Sequence, residues 1–185
     1  MLNYLAVALP AGTGADARLI ALQCALRMNN RAQAKLPHGV LRSLRLGSAA
    51  DALDELRQAG WLLILPSKGP TAEVQMLDAA LLAQHPARPD RLRAADWALR
   101  TACRSRTGPA PLPPLVTLCL TAHSTPGLEQ GTAEWEQLTR ECGIPLCDLL
   151  PTLDHLAAKD ILRSWRTGPM PDDLSWALTH SPPAP

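Results

Sequence analysis

Phenylalanine is absent from this chain of 185 residues and tyrosine occurs once, so five tryptophans supply nearly all of its large aromatic surface. Long apolar runs are also missing, because no segment reaches the roughly 18 residues of a membrane-spanning helix. No cationic segment precedes the short apolar run at residues 1–10, which disfavours a secretory signal. The five cysteines are an odd number without close pairs, a usage typical of a reducing compartment. We therefore expect a cytoplasmic protein without a membrane segment.

Motifs for catalysis, phosphate binding and metal binding are equally scarce. The glycine-containing stretch 11–14 lacks the Gly-Lys-Ser/Thr ending of a phosphate-binding loop. Cys142 and Cys147 enclose four residues, a wider spacing than the two intervening residues of the closest zinc ligand pairs, and no second pair matches them. No histidine belongs to a serine or cysteine nucleophile motif. The sequence thus predicts a protein without enzymatic activity, metal or cofactor.

Apolar residues, by contrast, are plentiful at 46% of the chain, and 34 leucines and 29 alanines supply most of them. This content is sufficient for a packed core, and the length fits one mid-sized domain or two small ones. Five tryptophans and three cysteines on apolar helical faces are expected to lie in the core: Trp61, Trp97, Trp135, Trp165, Trp176, Cys24, Cys103 and Cys119.

Positive charge is concentrated in the first part of the chain. Residues 17–50 contain six basic side chains and no acidic one, and residues 88–106 contain six arginines against two aspartates. Residues 107–185 contain four basic and nine acidic side chains. The overall net charge of +1 therefore conceals a basic front and an acidic back. Such an asymmetry indicates either an anionic partner for one end or a merely solvated surface.

Apolar periodicity predicts three helices and a strand in the first part of the chain. The helices cover residues 15–28, 38–46 and 49–59, the first of them amphipathic, and the strand covers residues 61–65. Ser48 is a suitable N-cap for the third helix, and Gly60 suits the left-handed residue that ends it. Thr71 begins either a second strand or a new helix.

A similar order of elements is predicted further along the chain. A helix over residues 90–104 and a proline-rich loop precede helices from 115, over 132–142 and from 146 or 151 to 159, and strands at 161–167 and 174–179. The run Ala52-Leu53-Asp54-Glu55-Leu56 is matched one hundred positions later by Thr152-Leu153-Asp154-His155-Leu156. Self-similarity at one period indicates a duplicated unit, unless two leucine-rich helices match by chance.

The stretch from Leu19 to Met76 resembles the winged helix-turn-helix domain, a common bacterial DNA-binding fold. The resemblance is carried by Leu41-Arg42-Ser43-Leu44, by Gly47-Ser48 and by the run from Ala52 to Leu62. In that run a leucine, three residues, a glycine and an apolar residue end the recognition helix and lead into the wing. The resemblance covers residues 15–78, and a weaker second copy covers residues 113–180.

This resemblance implies a mainly α fold with small β-wings, built as tandem winged-helix units joined by a linker helix. Residues 1–87 would form a basic, DNA-binding unit, and residues 88–112 the linker helix with its proline-rich loop. Residues 113–180 would form an acidic second unit that serves dimerisation or a protein partner. Residues 181–185 would be a tail.

The resemblance also implies that the first unit binds double-stranded DNA. Arginine and lysine around the recognition helix and the wing would contact phosphates, because they carry the positive charge and the donors for them. Ser48 and Ala50, at the neutral start of the recognition helix, would approach base edges in the major groove. The full set of expected DNA-binding residues is Arg31, Lys35, Arg42, Arg45, Ser48, Ala50, Arg57 and Lys68.

Three carboxylates on the same helix oppose DNA binding, because phosphates repel them. Asp51, Asp54 and Glu55 are expected on its exposed side, with Arg57 as the balancing cation. Two functions therefore stay open. One is a DNA-binding transcriptional regulator that acts as a homodimer. The other is a non-enzymatic winged-helix adaptor in a chromosome or plasmid maintenance, replication or transfer complex, which uses these carboxylates to bind protein.

Overall fold

The computed structural model describes residues 1–67, 69, 71–83, 87–105, 110–168, 170 and 172–179. This part of the chain is mainly helical and contains two small antiparallel sheets, which confirms a mainly α fold with little β-structure. No helix within these ranges is long and apolar enough to cross a lipid bilayer. The elements form an N-terminal half up to residue 83, one long helix, and a C-terminal half from residue 112.

The N-terminal half contains one sheet and four helices among its described residues. Its elements are α1 (Leu2–Ala8), α2 (Ala15–Arg27), β1 (Gln33–Leu36), α3 (His38–Leu44), α4 (Ala49–Gln58), β2 (Leu62–Leu65), β3 (Ala72–Met76) and a 3-10 turn (Ala79–Ala83). The strand order is β1-β3-β2. The segment after Thr71 is thus a strand. β1 is missing from the sequence prediction, which places Lys35 in a loop; Lys35 lies on β1, opposite Glu73 of β3.

The long helix and the C-terminal half follow. Their elements are α5 (Arg88–Arg104), α6 (Leu112–Ala122), β4 (Ser124–Thr125), β5 (Gln130–Glu134), α7 (Trp135–Cys142), α8 (Leu146–Ala158), β6 (Leu162–Thr167) and β7 (Asp173–Leu178). The strand order is β4-β5-β7-β6. Two predicted boundaries are wrong. Residues 132–134 belong to β5 rather than to a helix, and α6 begins at Leu112 because prolines in a first helical turn remove N–H groups that have no partner there.

α2 lies at the centre of the molecule. Every residue from Ala17 to Leu26 is buried, and α1, α4, α5, α6 and β1 all pack against this helix. The prediction of an amphipathic helix is therefore wrong. The polar residues on the other faces are buried with hydrogen bonds, as where Gln23 Nε2 donates to Ala95 O of α5 at 3.1 Å.

α1 contacts both halves of the molecule. Tyr4 Oη donates to Asp78 Oδ2 at 2.6 Å and accepts from Trp61 Nε1 at 3.2 Å, which ties α1 to the end of the N-terminal half. Burial, followed by the hydrogen bond to Asp78, raises the pKa of Tyr4. The same helix packs against α7 of the C-terminal half. α1 has no counterpart among the sequence predictions.

The same order of elements occurs twice. The series α2-β1-α3-α4-β2-β3 and the series α6-β5-α7-α8-β6-β7 are both helix, strand, helix, helix, strand, strand. In each sheet the last strand of the series lies between the other two, so that β3 separates β1 from β2 and β7 separates β5 from β6. β4 is an addition at the edge of the second sheet. The two halves therefore share an order of elements, in addition to the sequence similarity between residues 52–56 and 152–156.

The turns of the two series also correspond. Each series has a residue with positive φ immediately before its first strand, one after its second helix and one after its third helix: Ala32, Arg45 and Gly60 in the first, Glu129, Gly143 and Asp160 in the second. Gly127, in the turn between β4 and β5, is an addition in the second series. The third helices end alike, because Trp61 N donates to Leu56 O at 3.1 Å and Ile161 N donates to Leu156 O at 3.0 Å. Both of these leucines are fully buried.

Of the residues expected in the core, Cys103 is the one that is exposed. Trp61 and Trp176 are buried, and the other three tryptophans are half-buried against the core. Trp165 and Trp176 lie opposite each other in the β6–β7 pair. Cys24 and Cys119 are buried, but Cys103 is exposed. The buried face of α5 runs through small residues such as Ala95, Ala98 and Ala102, and Cys103 lies beside that face, where its Sγ donates to Ser43 O of α3 at 3.0 Å.

Candidate nucleic-acid interface

The start of α2 holds α4 and the turn before it in place. Gly14 N donates to Glu55 Oε1 at 2.7 Å, and Gly47 N donates to Asp16 Oδ2 at 3.0 Å. Ser48 is the N-cap of α4, as predicted, and its Oγ accepts from Asp51 N at 3.2 Å. Two side chains therefore stabilise the turn between α3 and α4: Asp16 of α2 binds the backbone of Gly47, and Ser48 binds the first turn of α4.

α4 buries one face and presents the other to solvent. Ala52, Leu53 and Leu56 are buried against α2 and the first sheet. Its exposed residues are Ala50, Asp51, Asp54, Arg57 and Gln58. The predicted contact residues Ala50 and Arg57 therefore lie on one accessible surface.

Two of the three carboxylates on α4 already have partners within the chain. Glu55 accepts from Gly14 N, and Asp54 Oδ1 lies 3.0 Å from Arg57 Nε. Asp51 lies in the first turn, where the helix dipole favours negative charge. The exposed face of α4 is therefore less acidic than the sequence indicates. Arg57 forms an ion pair with Asp54 in the free protein, so its charge is already partly neutralised.

The end of α3 carries two exposed arginines, Arg42 and Arg45. Arg42 lies in its last turn, and Arg45 follows as the C-cap in left-handed conformation with φ 47°, its N donating to Arg42 O at 3.0 Å. Both side chains are exposed. Within the residues that the structure describes, neither guanidinium group takes part in an ion pair, so both are available to an anion.

The remaining predicted cations differ in availability. Arg31 is exposed in the turn before β1, which is held by Asn29 Oδ1 accepting from Arg31 N at 2.8 Å. Lys35 Nζ lies 2.8 Å from Glu73 Oε1 across the strand pair, which neutralises it in the free protein. Lys68 lies outside the described residues. The cross-strand pair of Lys35 follows from the β1–β3 register, which no local sequence pattern reveals.

The corresponding elements of the C-terminal half are more acidic. On α8, Asp148 and Asp154 are exposed, and Asp154 Oδ1 accepts from Trp165 Nε1 of β6 at 3.0 Å. β6 carries the exposed side chains of Arg163 and Arg166. The two third helices thus differ in electrostatic character, since Asp54 of α4 is neutralised by an arginine on its own helix whereas Asp154 bonds to a neutral indole.

A half-buried histidine and a buried glutamate form a pair where the end of α6 meets α7. Glu141 is 3% exposed, and its carboxylate lies 2.8 Å from His123 Nε2 and accepts from Gln137 Nε2 at 3.2 Å. The hydrogen bond to Glu141 raises the pKa of His123, although burial of the imidazole opposes this. The pair joins α6 to α7, and no nucleophilic side chain among the described residues bonds to it. We assign it a structural role.

No group of three or more histidine, cysteine or carboxylate side chains within the described ranges is arranged to hold a metal ion. Comparisons with protein-family models, with curated proteins and with solved structures find no match to this chain.

Proposed function

We propose that this chain binds double-stranded DNA and acts in the cytoplasm as a transcriptional regulator, through two winged-helix units joined by α5. The observation that carries the proposal is the twice-repeated series helix, strand, helix, helix, strand, strand, with the last strand inserted between the other two. That order is the one expected of a winged helix-turn-helix, and it supports the resemblance drawn from residues 15–78.

In this proposal α4 is the recognition helix of the first unit. One face packs on α2 and the first sheet, and the other is free to enter a major groove, which is wide enough for a helix. Ser48 and Ala50 lie at its N-terminal end, where recognition helices read base edges. The hydrogen bonds from Gly14 and Gly47 keep this end rigid relative to α2.

Phosphate contacts come from the cations that surround α4. Arg31, Arg42 and Arg45 are exposed, and guanidinium groups bind phosphate oxygens through two parallel hydrogen bonds. Lys35 contributes only if it exchanges Glu73 for a phosphate, so its contribution is the smaller one. Arg57 stabilises DNA binding chiefly because it neutralises Asp54. The acidic C-terminal half supplies the dimerisation surface.

A second candidate is a winged-helix adaptor that binds protein and not DNA. It is favoured by the exposed carboxylates on both third helices, Asp51 and Asp54 on α4 and Asp148 and Asp154 on α8. Such an adaptor would bind a basic partner in a chromosome or plasmid maintenance, replication or transfer complex.

Salt dependence of DNA binding separates the two candidates. Labelled random-sequence duplex is titrated with the full chain over a range of salt concentrations, by fluorescence anisotropy. The regulator proposal expects log K to fall linearly with log salt, and R42A/R45A to reduce the slope by about two because each phosphate contact contributes about 0.9. R163A/R166A removes the same charge from the exposed side of β6 and serves as the control. Absence of DNA binding at micromolar protein would refute the proposal and favour the adaptor.

A further inference from the structure

α5 carries two cations beside the two on α3. The helices pack against each other, and Cys103 Sγ donates to Ser43 O at 3.0 Å, which fixes the point of contact. Arg100 precedes Cys103 by three residues and therefore lies on the same face of α5, which adjoins α3. Arg104 follows Arg100 by four residues, so these two arginines are neighbours on the helix surface. Both arginines are exposed.

The cationic surface continues from α5 into the C-terminal half. Arg104 and Lys159 line the same open cavity of about 280 Å³, where the C-terminal ends of α5 and α8 approach each other. The cavity floor is formed partly by hydroxyl groups, including Thr117 Oγ1, which is buried without a hydrogen-bond partner in the described part of the chain. Asp160 also lines it, and its Oδ1 accepts from Thr179 Oγ1 at 3.3 Å.

The two carboxylates of α5 are paired with other arginines. Asp96 Oδ1 lies 2.6 Å from Arg27 Nη2, and Asp90 pairs with Arg93 on its own helix. Across the described ranges, no ion pair neutralises the five exposed cations that form this surface: Arg42, Arg45, Arg100, Arg104 and Lys159. We call this set the basic ridge.

We infer that the basic ridge is a phosphate-binding track, so that duplex DNA contacts α3, α5 and the end of α8 in one continuous footprint. This inference rests on the proposed DNA binding and assigns α5 a role beyond joining two units. Arg100 and Arg104 are separated by about 6 Å along the helix axis, close to two phosphate spacings of a single strand. Four of the five cations are arginines, whose planar forks suit phosphates better than the point charge of lysine.

The ridge also changes the role of the C-terminal half. The C-terminal half carries excess negative charge, but Lys159 lies at the end of the basic ridge. Through Lys159 the C-terminal half contacts the DNA backbone. The two units would therefore bind one duplex side by side.

The test compares full-length variants on the same random-sequence duplex. R100A/R104A is expected to reduce the slope of log K against log salt by about two and to weaken binding about 10- to 100-fold at 0.1 M salt, as R42A/R45A does. K159A is expected to reduce the slope by about one. R163A/R166A is the control of matched charge, and circular dichroism of each variant verifies folding.

The outcomes distinguish this inference from the proposal on which it rests. If the wild-type chain binds duplex and R42A/R45A flattens the salt dependence while R100A/R104A leaves it unchanged, the track is refuted and DNA binding stands. If R163A/R166A lowers the slope as much as R100A/R104A, the effect reflects net charge and the track is again refuted. If the wild-type chain binds no duplex but retains an acidic polypeptide, both the proposed function and the track fail.

Discussion

His123 and Glu141 show how a single residue pair makes folding stability depend on pH. The pKa of His123 is raised in the folded protein by its hydrogen bond to the buried Glu141 carboxylate. Because the folded pKa exceeds the unfolded one, the pair stabilises the fold fully below the unfolded value of about 6.5. This stabilisation is lost as the pH rises through the folded pKa.

H123Q should therefore lower the free energy of unfolding at pH 5.5 more than at pH 9. Urea unfolding at a series of pH values measures this difference, with H38Q, at an exposed position of α3, as the control. An equal loss of stability at both pH values would contradict the ion pair.

At the scale of an element, the ends of the third helices differ between the two series. Gly60 closes α4 with φ 70°, whereas Asp160 closes α8 with φ 56°. A left-handed conformation costs a residue with a side chain roughly 1–2 kcal/mol relative to glycine, although aspartate tolerates it better than most.

D160G is accordingly expected to raise the free energy of unfolding by about 0.5–1 kcal/mol. D160G also removes the hydrogen bond from Thr179 to Asp160. This loss reduces the gain in stability only slightly, since the contact is long at 3.3 Å. Urea unfolding tests the expectation, and G60D, which makes the opposite change at the corresponding turn, should destabilise by a similar amount. Destabilisation by D160G would show that the Thr179 contact outweighs the backbone strain.

The elements that the sequence predicts correctly are marked by capping or turn-forming residues at or next to their ends. Ser48 caps α4 and Gly60 follows its end in left-handed conformation, and each follows from the chemistry of one position. β1 has no such signal, because four residues become a strand only through pairing with β3 some forty residues later. The all-round burial of α2 depends on α5 and α6, which a periodicity within residues 15–28 cannot reveal.

The candidate site follows the same rule. The exposure of Arg42 and Ala50 follows from local helical spacing and is predicted. The pairing of Lys35 with Glu73, and of Glu55 with Gly14, joins residues from different elements and is set by the sheet register and by the packing of α4 on α2. The sequence therefore locates the cations but not the carboxylates that neutralise some of them.

At the scale of the whole molecule, Arg18 joins the two halves. It is 2% exposed, and its guanidinium donates to Thr13 O and Pro10 O at 3.0 Å and to the carbonyl oxygens of Arg140 and Glu141 at 3.4 Å. Burial lowers its pKa. The acceptors from α7 lie at a helix C-terminus, whose negative dipole end compensates part of the cost of burying the charge.

Gly143 lies against this guanidinium, and a Cβ there would overlap it. G143A should therefore destabilise the protein by about 1–3 kcal/mol more than G60A, because both glycines have positive φ but only Gly143 meets another side chain. Thermal and urea unfolding of both variants measure the difference. In an R18A background the difference should disappear, which a double-mutant cycle tests. If G143A still destabilises more than G60A in the R18A background, the larger loss of stability comes from the backbone of residue 143 and not from overlap with Arg18.

The burial of α2 has a consequence for the order in which the chain is synthesised. The carbonyl groups of α7 that receive Arg18 are made 122 and 123 residues after it. Until α5, α6 and α7 have left the ribosome, the leucine-rich sides of α2 stay open to water, to chaperones and to other nascent chains. The N-terminal series carries its own sheet and turns, yet the buried site of Arg18 is complete only when α7 has been synthesised. We therefore expect a chain truncated before α7 to leave these leucines exposed and to be prone to aggregation.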